Sequence, residues 1–250
     1  MLPRLNPLDR VTSDPSRTGI FCDFDGTLSA IVDRPDAARP VDGAADVMSR
    51  LARAFAEVAV ISGRSLEDLR SRFAPEGVLL AGSYGRNRSD RPGTVSSRDW
   101  TGLVDDAAAR TREWEGVHIE PKDTGVAIHY RLAPDRAHDV GAIATTLAVE
   151  HGMELRPGRM VVELTERGPG KADALRELVD EFDLNAFLFA GDDLADGEAF
   201  KWARSAQRSC VLVGVRSAES PAVIVDEADI VVDDPEALVA LLDGLLRRPG

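Results

Sequence analysis

Cysteine is nearly absent from this chain: Cys22 and Cys210 are its only two. Each sits in a short apolar run, so both read as small buried hydrophobes rather than as a disulfide or a thiolate metal site. Long hydrophobic runs are missing as well, and nothing approaches the ~18 apolar residues that a membrane span needs. The first 18 residues carry charge and three prolines but no apolar signal core, which leads us to expect a cytoplasmic protein. Cationic charge is short: the net charge is -13 over 250 residues. That balance disfavours nucleic acid and anionic membranes as partners. It also means that a phosphorylated ligand needs a local positive focus. Lysine is scarcer still, with Lys122, Lys171 and Lys201 standing against 27 arginines. In so arginine-rich a chain, a lysine marks a place where a compact, flexible ammonium is wanted. Lys201 reads as a solvated helix position. Internal repeats and low-complexity segments are absent too.

The hydrophobic share, 44%, is ample for a core, and the length suits one large domain or one domain with a second inserted. Short apolar runs at Gly19-Ile20-Phe21-Cys22, Val58-Ala59-Val60-Ile61, Val78-Leu79-Leu80-Ala81 and Phe187-Leu188-Phe189-Ala190 read as buried strands. Residues 210–213 and 230–232 read the same way. Helical spacing lies between them: Ala44, Val47, Met48, Leu51 and Phe55, then about 65–73, then Leu175, Leu178, Val179 and Phe182. Asp234-Pro235 opens a last helix with a cap and a first-turn proline. Strands alternating with helices predict a Rossmann-like, mostly parallel α/β sheet. The pattern changes at 89–93. A helix over about 103–114, strands at 117–122 and 126–131, a helix bearing Val140, Ile143, Ala144 and Leu147, and strands at 153–156 and 160–164 follow. Pro157-Gly158-Arg159 reads as the turn between the last two. This stretch is expected to be an inserted α+β cap domain over 92–165, with Trp100 and Trp114 in its core. The catalytic core is then 1–91 and 166–250.

The most informative segment is Asp23-Phe24-Asp25-Gly26-Thr27, at the end of the first strand. Residues two apart on an extended strand share a face. If the chain stays extended, Asp23 and Asp25 therefore point into one crevice, where they repel unless a cation lies between them. A hard divalent metal, Mg²⁺, resolves that repulsion. A calcium loop is excluded, because Leu28, Ala30, Ile31 and Val32 supply none of the oxygens it needs. Open α/β sheets place their ligands at such strand ends. Three more segments fall at strand ends or helix starts: Ser62-Gly63-Arg64, Lys171, and Gly191-Asp192-Asp193 with Asp196. A Ser and a Gly amide at a helix N-terminus suit phosphate oxygens.

In this order and context the four segments resemble the haloacid-dehalogenase-like phosphatase superfamily. The resemblance implies that Asp23 is the nucleophile, and that Asp25 protonates the leaving oxygen and then activates water. It further implies that Ser62, Gly63 and Lys171 bind phosphate, and that Mg²⁺ is held by Asp23, Asp192 and Asp25, the last through its backbone carbonyl. Asp193 and Asp196 are expected to support Lys171 or the water around the metal.

Within the superfamily the chain looks most like the trehalose-6-phosphate phosphatases. Asp25-Gly26-Thr27-Leu28-Ser29-Ala30-Ile31-Val32 with Pro35 and Ala37-Ala38 is similar to that family's extended first motif. Lys122-Asp123-Thr124-Gly125-Val126-Ala127-Ile128-His129-Tyr130-Arg131 resembles its cap signature, and Val161-Val162-Glu163-Leu164 its glutamate-bearing cap strand. Gly191 to Phe200 resembles its last motif. The chain departs from the family at Gly82-Ser83-Tyr84-Gly85-Arg86-Asn87, where Tyr84 replaces a histidine and no acidic residue follows, and at Ala172, where a glycine is usual. The resemblance implies an Mg²⁺-dependent trehalose-6-phosphate phosphatase whose partner is a small-molecule sugar phosphate. Arg64, Lys122, Arg131 and Glu163 are then expected at the sugar. The alternatives are a phosphatase for sucrose phosphate or a mannosyl-phosphoglycerate, or an idle sugar-phosphate sensor.

Overall fold

The computed structural model describes residues 6–91, 98–217 and 220–247. Its strands are β1 Thr18–Cys22, β2 Glu57–Ile61, β3 Leu79–Gly82, β4 Asn87–Arg88, β5 His118–Lys122, β6 Gly125–His129, β7 Glu154–Gly158, β8 Val161–Thr165, β9 Ala186–Gly191, β10 Ser209–Val215 and β11 Ile230–Val232. The helices are α1 Asp9–Thr12, α2 Ala44–Ala54, α3 Leu66–Arg72, α4 Thr101–Thr111, α5 Ala137–His151, α6 Lys171–Glu181, α7 Leu194–Ser205, α8 Ala222–Glu227 and α9 Pro235–Leu245. The chain divides into two compact units, Met1–Gly93 with Pro169–Gly250, and Thr94–Gly168. The expected switch of pattern at 89–93 runs into residues 92–97, which lie outside the described residues.

In the larger unit the sheet order is β11-β10-β9-β1-β2-β3-β4. Every pairing is parallel except β3 with β4. The alternation of side chains explains why these runs are apolar throughout. Ile20, Cys22, Val58, Val60, Leu188 and Ala190 face one layer, with α2 and α9. Phe21, Ala59, Ile61, Phe187 and Phe189 face the other, with α6 and α7. Both faces are covered, so no position in these strands favours a polar residue. The chain leaves β1 toward β2 on one side and returns as β9 on the other. The carboxyl ends of β1 and β9 therefore flank a reversal of strand order, where a crevice opens in folds of this class. The residues that follow those two strands are Asp23 and Asp192.

The smaller unit is an antiparallel sheet, β5-β6-β8-β7. Val126, Ile128, Leu164 and Leu155 pack with Trp100, Leu103, Val140 and Leu147 from α4, α5 and the residue before α4. The hairpin between β7 and β8 differs from expectation. Gly158 pairs with Val161, so the turn is Arg159-Met160, and Met160 takes φ +53°. Pro157 is a strand residue. It is tolerated there because β7 is an edge strand and a proline's missing N–H need not face a partner. Tyr130 and Arg131 likewise fall beyond β6, in the turn that follows it.

Candidate active site

Asp23 continues the line of β1, its amide donating to the Ala190 carbonyl at 2.9 Å. The chain then turns: the Phe24 carbonyl accepts from the amides of Leu28 and Ser29 at 3.0 and 2.9 Å. The extended geometry assumed for Asp23 and Asp25 therefore ends at residue 23, and the two carboxylates take different partners. Asp23 is 3% exposed, as is Lys171. Their charged atoms meet at 2.8 Å.

Lys171 is the first residue of α6, where the helix dipole disfavours a cation. Carboxylates supply the compensation: Asp196 at 2.7 Å, Asp23 at 2.8 Å and Asp193 at 3.5 Å. Burial opposes the ammonium, but Asp193, Asp196 and Asp23 more than offset it and hold the lysine well above its ordinary value. Asp196 is a bracket rather than a free group. Its Oδ1 accepts from Lys171, while its Oδ2 accepts the amides of Asp192 and Asp193 at 2.9 and 3.1 Å. Asp193 returns the bond by accepting the Asp196 amide at 2.9 Å, a reciprocal cap on α7.

Asp23, Asp192 and Asp196 each offer a carboxylate oxygen, all within 4.8 Å of one another. Asp23, Asp193 and Asp196 pair with one ammonium, and Asp192 adds a further carboxylate beside Asp23 and Asp196, so the pocket carries excess negative charge. Burial pushes the Asp23 carboxyl up to about 8 against the pull of Lys171, and repulsion from Asp192, Asp193 and Asp25 adds to the rise. Hard oxygens with uncompensated charge fit a divalent cation. Asp23 and Asp192, which the resemblance expects to hold it, both lie in this cluster. Thr27 Oγ1 donates to Asp192 Oδ1 at 3.1 Å and orients that carboxylate. The side chain of Asp25 lies outside this cluster.

Ser62 follows β2 and is buried. Its Oγ accepts the Arg64 amide at 3.2 Å, which leaves its O–H to donate. The helix itself begins later than the Ser-Gly pair: Ser65 caps α3, accepting the Asp68 amide at 3.1 Å. Ser62 and Gly63 thus sit in the turn that precedes the cap. A Cβ on Gly63 would lie 2.7 Å from the Tyr84 hydroxyl. A side chain there would require the Tyr84 ring to shift from its place across the turn. Arg64, expected at the sugar, is instead 6% exposed. It turns inward because acceptors surround it: Asp25, Asp68 and the Pro35 carbonyl take its donors at 2.6–2.9 Å.

In the smaller unit, register places Glu120, Ala127, Glu163 and Arg156 in one row across the sheet. Lys122 and His129, two residues from that row, share its face, opposite the helices. Lys122 and His129 each hold one oxygen of Glu120, at 2.9 and 2.7 Å. Burial raises the Glu120 carboxyl, but His129 and Lys122 outweigh it and bring the group down to about 2. Glu120 was missed in the sequence, although its two-residue spacing from Lys122 puts both on one face. Arg131 lies in the turn after β6, apart from that row.

A family model for trehalose-phosphatase matches residues 21–228. An uncharacterized glycosyl hydrolase of Mycobacterium tuberculosis is 40% identical over 201 residues, 74% of this chain and 15% of that protein. The trehalose-phosphate phosphatase of Mycobacterium marinum is 37% identical over 199 residues, 74% of this chain and 51% of that protein. The chain thus spans about half or less of these curated relatives. Among solved structures, a trehalose-6-phosphate phosphatase related protein superposes with a TM-score of 0.71 at 25% identity, covering 91% of this chain and 96% of that one. The C-terminal domain of the Candida albicans trehalose-6-phosphate phosphatase gives a TM-score of 0.77 at 22% identity, covering 97% of each chain, a likeness of fold. The buried Asp23–Lys171 pair, the carboxylates after β9 and the Ser-Gly turn after β2 all lie within the matched span, and on that match the chain belongs to the trehalose-phosphatase family.

Proposed function

We propose that this chain hydrolyses trehalose 6-phosphate to trehalose and phosphate through a phosphoryl group carried on Asp23. The observation that carries the reading is the buried Asp23–Lys171 pair at 2.8 Å beside Asp192, at the reversal of strand order. Family membership supports the substrate. Asp23 Oδ attacks phosphorus, the P–O bond to the sugar breaks, and Asp25 gives its proton to the leaving oxygen. Asp25, now a carboxylate, takes a proton from the water that cleaves the aspartyl-phosphate. Lys171 screens the repulsion between nucleophile and phosphate. The Ser62 hydroxyl and the Gly63 amide hold phosphoryl oxygens. Asp23 and Asp192, with the Asp25 carbonyl, would hold Mg²⁺, which when bound neutralises charge on the phosphoryl oxygens. Asp196 and Asp193 keep Lys171 in place. The unit Thr94–Gly168 serves as the substrate-selecting cap, with Lys122 and Glu163 hydrogen-bonding hydroxyls in the donor and acceptor senses and Arg131 reaching the sugar from the turn after β6.

A panel of sugar phosphates compared by kcat/KM, with and without chelator, tests the reading. Trehalose 6-phosphate should rank first and its turnover should stop on metal removal. A higher kcat/KM for sucrose phosphate or a mannosyl-phosphoglycerate would reassign the substrate. Turnover that survives thorough metal removal would refute the Mg²⁺ role.

A further inference from the structure

Arg64 and Asp25 form a two-pronged ion pair near the site. Arg64 Nε donates to Asp25 Oδ2 and Nη2 to Asp25 Oδ1, both at 2.7 Å. Such a fork fixes the plane of a carboxylate as well as its place. The guanidinium is itself fixed from behind. Nη1 donates to Asp68 Oδ2 at 2.6 Å, and Nη2 donates also to the Pro35 carbonyl at 2.9 Å. Asp68 is pinned in turn by Arg72, at 2.7–3.0 Å. Arg72 also ties down the carbonyls of Asp36 and Ala38 at 2.9 and 3.3 Å. The Arg64 side chain is 7% exposed whereas that of Asp25 is 44% exposed. The carboxylate thus faces outward on a buried support.

We infer that Arg64 is a positioning residue that aims the Asp25 carboxyl at the leaving oxygen, and that it makes no contact with substrate. The inference rests on the reading of Asp25 as proton donor. A carboxylate has about four lone-pair sites. The fork uses one on each oxygen and leaves one on each. The proton that Asp25 carries occupies one of those. It passes to the ester oxygen as the P–O bond breaks, and Asp25 is left as a carboxylate still held by Arg64. A lysine at 64 keeps the charge but not the fork, so it separates aim from electrostatics.

The test is a series of aryl phosphates whose phenols differ in acidity, with no sugar present. A good leaving group departs without a proton, whereas a poor one needs the acid. In Arg64→Lys the plot of log kcat/KM against phenol pKa should steepen, the poorest leaving group losing at least about tenfold more than 4-nitrophenyl phosphate. Asp68→Asn, which loosens the support without touching Asp25, should steepen it less, and carries the test if Arg64→Lys does not fold. Asp25→Asn is the reference. If it steepens the plot and Arg64→Lys does not, or if Arg64→Lys loses activity only on trehalose 6-phosphate, the positioning role is overturned. If Asp25→Asn leaves the slope unchanged, the acid assignment beneath it fails, and this inference with it.

Discussion

Gly26 has φ +84°, and a Cβ there would collide with the Asp192 carboxylate. Both facts come from one demand: the turn after Asp23 must bring its backbone against the second acidic strand end. Gly26→Ala should therefore cost about 1–3 kcal/mol from backbone strain alone, read as a lowered Tm, and should reduce phosphatase activity as Asp192 is displaced. Unchanged stability and activity would show that the two segments are not pressed together. Glu57, at the start of β2, gives a pH test away from the site. Burial, with Asp90 and Glu181 adding repulsion, raises its carboxyl to about 7, against the pull of the Val58 amide and Arg88. The folded state then binds the proton more tightly than the unfolded chain, so stability falls as pH rises from the unfolded value of 4.5 through about 7. Since the group is partly exposed, solvent screening leaves on the order of 1 kcal/mol. Glu57→Gln should gain that much on wild type between pH 4.5 and pH 8 in denaturant melts; a constant difference across the range would count against the shift.

The parallel strands of the larger unit were readable because each is a short apolar run that ends in a polar or glycine residue, whereas β4, the two polar residues Asn87–Arg88, carries no such signal. Helix α6 was readable from its stripe, and Lys171 from its rarity. The hairpin turn after β7 was misplaced because proline and glycine signal turns locally, while Pro157 is tolerated by an edge position that only the sheet order defines. The Asp25–Arg64 fork was invisible for a related reason: the partners lie 39 residues apart, and an arginine after a Ser-Gly turn carries no mark of facing inward. Similarly, Pro35 and Ala38 drew notice only through resemblance, and their carbonyls prove to be the acceptors for Arg64 and Arg72. On the sheet of the smaller unit, Glu163 shares the polar face with Glu120 and Lys122. Glu163→Ala should lower kcat/KM for trehalose 6-phosphate at least about tenfold, the order expected from losing one or two hydrogen bonds to substrate. A small aryl phosphate should be nearly unaffected. Equal losses on both would remove the cap from substrate choice.

For the whole molecule, an acidic chain with net charge -13 concentrates three carboxylates around one buried lysine, with Asp192 beside them. No helix among the described residues is long and apolar enough to cross a membrane. A cation that binds the folded site alone stabilises the fold by mass action, by about 2.7 kcal/mol at a hundredfold excess over Kd. Wild-type Tm should therefore climb with Mg²⁺ concentration while that of Asp192→Asn stays flat; parallel behaviour would place the cation elsewhere. The central claim concerns Asp23 itself. Acid-quenching the enzyme during turnover of trehalose 6-phosphate, then locating the phosphoryl group by peptide mass spectrometry, tests it most directly. The account predicts a phosphorylated peptide with the group on residue 23, absent in Asp23→Asn. A phosphoryl group on another side chain, or steady turnover by Asp23→Asn, would contradict it.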